Sequence, residues 1–143
     1  MEQKKYRRRY QSFLCSLRAL EEARTRDLTD EFVVSGTVQK FCLCFDIAWK
    51  VMKDIIVNYH GIGTFATGSP RETLRMAGSV GLISGDVWMR MLRDRNDLTH
   101  DYDGSLAESS VHRIVDVYLP VMEMFRDVAG KYMGLMDKDE GET

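Results

Sequence analysis

Proline is scarce in this chain: only Pro70 and Pro120 occur in 143 residues. With few β-branched runs as well, the sequence favours helix over sheet. Cysteine is scarce too. The three cysteines, Cys15, Cys42 and Cys44, are odd in number and share no repeated spacing, which argues against a disulfide framework. Cys42-x-Cys44 is too close for a usual zinc pair and has no histidine nearby. These thiols read as reduced, and no metal or cofactor is expected. Long apolar runs are missing, with nothing close to the roughly 20 residues of a membrane span. The charged stretch from Met1 to Arg9 is not followed by an apolar one, so no secretory signal is expected. Nor does one sign of charge dominate. Lys and Arg total 20 against 22 Asp and Glu, a net charge of −2, so any contact with nucleic acid must come from a local patch. A cytoplasmic protein without membrane association is the expectation.

What is present is a core. Hydrophobic residues make up 44% and charged residues 29%, which fits one globular domain. Tyr6, Tyr10, Phe13, Leu17 and Leu20 form one stripe at helical spacing, preceded by the basic cluster Lys4, Lys5, Arg7, Arg8 and Arg9. That cluster sits at the end of the helix that the dipole makes unfavourable for cations. It reads as a solvated terminus or as a contact for an acidic partner. From Thr37 the stripe Val38, Phe41, Cys42, Phe45, Ala48, Trp49, Met52, Ile56 and Tyr59 predicts a long amphipathic helix. Leu43 and Ile47 lie off it and either widen the buried face or meet another subunit.

Residues 60–68 read as a loop. Ser69 and Pro70 then start a short helix that Gly78 and Gly81 end. Ser84-Gly85-Asp86 opens the next helix. Ser105 followed by Glu108 has the form of a capping box before the last one, which Pro120 should kink. The sum is an all-α fold: an antiparallel four-helix up-and-down bundle with one additional short helix. A single domain over residues 1–136 and a disordered acidic tail over 137–143 are expected.

The chemistry-bearing residues gather at one helix end, in Arg95-Asn96-Asp97-Leu98-Thr99-His100-Asp101-Tyr102. Arg95 continues the stripe of Val87 and Met91, ahead of Leu98. An inward arginine needs a carboxylate, such as Asp94 or another acid, or a cleft to face. Asn96 and His100, four apart, address one region. Arg95 and His100, five apart, diverge in a regular helix by about 140°. They converge if the helix loosens near its end or if two chains share the site. An arginine fork clamps phosphate, histidine moves protons near neutral pH, and Tyr102 offers a hydroxyl for modification. Asp97 and Asp101 oppose a phosphate there unless they face solvent or pair with Arg90 or Arg93.

Arg95-Asn96-x-x-x-His100-x-Tyr102 resembles the signature of the HEPN superfamily. Within it, the chain resembles the nucleotidyltransferase substrate-binding proteins. Val38-Gln39-Lys40-Phe41 and Phe45-Asp46-Ile47-Ala48-Trp49-Lys50 resemble that branch's second helix. Ser69-Pro70-Arg71-Glu72, Trp88, Asp94-Arg95-Asn96, His100-x-Tyr102 and Tyr118-Leu119-Pro120 follow in order, over roughly residues 5 to 133.

The resemblance implies a five-helix, HEPN-like bundle that forms homodimers. It also implies a separate minimal nucleotidyltransferase protein as partner, often encoded next door. This chain carries no Gly-Ser motif followed by an Asp-x-Asp metal pair in a sheet context and so should not transfer nucleotides itself. Two roles follow from the likeness. One is a substrate-binding subunit of that transferase, in a two-component module of toxin–antitoxin type, with Asn96, Arg95 and Tyr102 binding the ligand. The other is a metal-independent ribonuclease toxin. There Arg95 would hold the phosphate of an RNA, His100 would transfer the proton, and AMP placed on Tyr102 by the partner would silence the site. A non-catalytic dimerisation module is the third reading.

Overall fold

In a computed structural model the chain is all-helical, and the structure describes residues 4–63 and 68–141. Helix α1 spans Lys5–Glu21 and runs into a 3₁₀ turn, Glu22–Thr25. α2 spans Glu31–Asn58, α3 Pro70–Ser79 and α4 Gly85–Leu98. α5, Ser105–Arg113, passes through a π turn, Ile114–Tyr118, directly into α6, Leu119–Gly141. Read through that turn, α5 and α6 are one long final helix. The bundle is thus the expected one, with α3 as its short member. Thr64 to Thr67, within the expected loop, lie outside the described residues.

α2 is the central element and packs against α1, α3, α4, α5 and α6. It begins six residues before the clean apolar pattern does. Asp30 caps it, accepting from the backbone N–H groups of Phe32 and Val33 at 2.8 and 3.1 Å. α2 is long and apolar enough to cross a membrane by length and composition, with a window of mean hydropathy 1.2. Its inner stripe, from Val34 through Phe41, Phe45 and Met52 to Ile56, is the protein's own core.

Aromatic side chains tie the helices together. Phe41 of α2 stacks on Tyr118 at 5.5 Å. Phe45 meets Trp88 of α4 at 6.1 Å, and Trp88 meets Phe125 of α6 edge-on at 5.6 Å. Phe125 in turn touches Phe13 of α1 at 5.7 Å.

Two local expectations are corrected. Ser105 is not a cap, because Gly104, at φ 77°, takes that position and Ser105 is already helical. The capping falls to two aspartates. Asp103 accepts from the N–H and hydroxyl of Ser105 at 3.0 and 2.8 Å. Asp101 accepts from the N–H groups of Leu106 and Ala107 at 3.2 and 2.8 Å. The acidic tail does not begin at Asp137, since α6 continues to Gly141. Asp137 accepts from the Tyr6 hydroxyl at 3.0 Å and pairs with Arg7, so the basic cluster of α1 is partly occupied. Arg9 of the same cluster pairs with Asp54 of α2 at 2.7 Å. Glu142 and Thr143 lie outside the described residues. At Pro120 the missing N–H is accommodated by the π turn just before it, where the N–H of Leu119 reaches back five residues to the carbonyl of Ile114.

Candidate functional site

The last turn of α4 is held from three directions. Leu98 is buried and anchors it from within. On one side Asp94 accepts from Arg113 Nε at 2.9 Å and from the Tyr118 hydroxyl at 2.5 Å, tying α4 to the final helix. Burial, aided by that bond to Asp94, pushes the Tyr118 hydroxyl up to about 12. On the other side Arg95 reaches α2. Its Nε donates to Asp46 Oδ1 at 3.1 Å and its Nη2 to Asp46 Oδ2 at 2.8 Å. The inward arginine is therefore paired by Asp46 and not by the adjacent Asp94. The hydrogen bond to Asp46 raises the Arg95 pKa further above its ordinary value. Arg95 Nη1 also makes a long contact, 3.4 Å, with Asn96 Oδ1.

Beyond Leu98 the chain turns sharply. The N–H of Thr99 bonds the carbonyl of Arg95, that of His100 bonds Asp97, and that of Asp101 bonds Leu98. His100 and Tyr102 both stand on this corner between α4 and α5. His100 is exposed. Tyr102 is 92% exposed, the most open large hydrophobic residue of the described chain. The ring therefore does not pack against the last helix. Asp101, which seemed to oppose a phosphate, spends both carboxylate oxygens on the first turn of α5, while Asp97 faces solvent.

The structure thus brings Arg95 and Asn96 together and puts His100 and Tyr102 on the adjoining corner. No hydrogen bond joins His100 to Arg95 among the described residues. A groove of about 670 Å³ lies next door, between the start of α2 and the corner, with Val34, Val38 and Leu98 in its floor and Glu31, Asp101 and Glu108 on its rim. None of the four predicted site residues lines it.

Asp46 is the residue that sequence reasoning left out of the site. It belongs to no apolar stripe and lies 49 positions from Arg95. One signal pointed to it: an inward arginine requires an acid, and α2 holds only Glu31, Asp46 and Asp54. Leu43, 56% exposed, and half-buried Ile47 line a shallow groove against Cys15 and Arg8 of α1.

A family model described as nucleotidyltransferase substrate binding protein like matches residues 8–129, from α1 into α6. That span contains Asp46, Arg95, Asn96, His100 and Tyr102. No curated protein matches the chain. The chain belongs to the nucleotidyltransferase substrate binding protein like family.

Proposed function

We propose that this chain is the substrate-binding partner subunit of a separate minimal nucleotidyltransferase, in a two-component cytoplasmic module of HEPN and toxin–antitoxin type. The observation that carries the reading is the family match together with the corner it contains. An arginine and an asparagine with donors for a phosphate stand beside an exposed histidine and a tyrosine hydroxyl open to solvent. Such a corner binds a phosphate-bearing ligand and offers it, or Tyr102 itself, to a transferase arriving from outside. The chain works as a homodimer, in which exposed Leu43 and half-buried Ile47 supply apolar contact and the Arg95 and His100 pairs of both copies line one cleft.

Co-expression with the minimal nucleotidyltransferase encoded beside it tests the reading. The tagged chain should retain the transferase through size exclusion. A tagged chain that emerges alone at micromolar concentration counts against it.

The ribonuclease reading has one observation in its favour. His100 is exposed and Arg95 partly so, hence both reach solvent at the same helix end. In that reading His100 transfers a proton between the RNA 2′-hydroxyl and the leaving oxygen, and Arg95 stabilises the phosphate. Transfer of AMP from ATP to the Tyr102 hydroxyl by the partner, with release of pyrophosphate, then fills the site with a phosphate and excludes RNA by charge and volume.

A further inference from the structure

The Asp46–Arg95 pair has a specific geometry. A guanidinium carries five N–H donors in one plane. Asp46 takes the side-on edge, Nε and one hydrogen of Nη2, at 3.1 and 2.8 Å. The end-on edge is made by the other Nη2 hydrogen and one on Nη1. Among the described residues, the only further hydrogen bond of Arg95 is the long 3.4 Å contact from Nη1 to Asn96 Oδ1. That contact uses the Asn96 oxygen, so the NH₂ group is the donor end of this side chain, and Asn96 is exposed. Both members of the pair keep part of their surface, 30% for Arg95 and 32% for Asp46. The pair is therefore partly open to solvent.

We infer that Asp46 is a positioning residue for anion binding: it fixes Arg95 side-on so that the end-on edge, joined by the Asn96 amide, presents converging donors to one phosphate group. The inference rests on the reading of Arg95 as the phosphate ligand and adds the group that aims it. Two effects of Asp46 on an incoming phosphate have opposite signs. Its negative charge repels the anion, while its two bonds hold the fork in register. Exposure to solvent screens the repulsion, whereas an unheld arginine loses both bonds to the phosphate at once. Positioning therefore outweighs repulsion at physiological salt.

The test is binding of 5′-AMP by titration calorimetry at about 0.15 M salt, with the thermal midpoint of each variant recorded. Asp46→Ala and Arg95→Ala should each weaken AMP binding about tenfold or more, and the double variant should be no weaker than Arg95→Ala alone. A merely structural role would shift the midpoint and not produce that non-additivity. If Asp46→Ala does not fold, Asp46→Asn keeps the volume while losing one acceptor oxygen, and it should weaken binding in the same way. Tighter or unchanged binding in either Asp46 variant overturns the inference, as do losses that simply add. If Arg95→Ala weakens binding and the Asp46 variants do not, only the positioning role fails. If Arg95→Ala binds AMP as the wild type does, or the wild type binds none, the phosphate site itself fails.

Discussion

Asp46 in the middle of α2 and Arg95 in the last turn of α4 are joined by two hydrogen bonds, at 3.1 and 2.8 Å, through the side of the guanidinium. This one relationship explains how a charged residue can continue the apolar stripe of α4. It also sets what Arg95 has left to offer. Because both side chains remain about a third exposed, the pair contributes modestly to stability, on the order of 0.5–1 kcal/mol. Variants of Asp46 should therefore fold, and their binding defects can be measured.

The corner that carries His100 and Tyr102 depends on Asp101. Its carboxylate satisfies two N–H groups at the start of α5. Asp101→Ala should lower unfolding free energy by about 1 kcal/mol, the usual cost of losing a helix cap. Hydrogen exchange should speed up first at the Leu106 and Ala107 amides. Unchanged protection of those amides would contradict the assignment of the cap.

The buried Tyr118 hydroxyl predicts an alkaline limit. Its folded-state pKa, about 12, lies above the ordinary value of 10.0. Its contribution is therefore fully present below pH 10 and is lost as pH rises through about 12. Stability should fall across that window by an amount on the order of 2 kcal/mol. In Tyr118→Phe that part of the fall should be missing. Denaturant titrations at pH 9 and pH 11 on both proteins check this. An equal fall in the two would exclude Tyr118 as the source.

If Tyr102 is the acceptor, incubation with the proposed transferase partner, ATP and magnesium should add mass in steps of one AMP, and Tyr102→Phe should stay unmodified. Its 92% exposure and lack of a packing partner on the last helix are the reasons to expect this. Intact-mass spectrometry decides it. Labelling that persists in Tyr102→Phe would move the acceptor elsewhere.

If the ribonuclease reading holds, His100→Ala and Arg95→Ala should each reduce cleavage of RNA by about 10²-fold or more, and chelators should leave it unchanged. Gel assays of purified protein measure this. Full cleavage by His100→Ala would remove the histidine from the mechanism.

Much of this architecture was legible because it is written in local periodicity. The stripe from Val38 to Tyr59 marks α2, and Ser69-Pro70 marks α3, where Ser69 does accept from the Glu72 N–H. The start of α2 was harder to see. Ser35 and Gly36 are weak helix formers, and the cap at Asp30 lies upstream of any apolar repeat. Ser105 and Glu108 had the spacing of a capping box. Gly104, in a left-handed conformation, moves Ser105 into the helix and lets Asp101 and Asp103 take over the cap. Within the site, Arg95 stood out as a cation on an apolar stripe. Its partner could not stand out in the same way, because a pairing across 49 positions leaves no local pattern. Asp137 is a like case: its acidic neighbourhood reads as tail, and only the approach of Tyr6 and Arg7 from the other end of the chain makes it structural.

Partnership with a nucleotidyltransferase is tested by light scattering on the purified chain, on the purified minimal transferase proposed as its partner, and on their mixture. The chain alone should be a dimer at micromolar concentration, and the mixture should form a heavier, stoichiometric complex. A mixture that resolves into two unshifted species would contradict it.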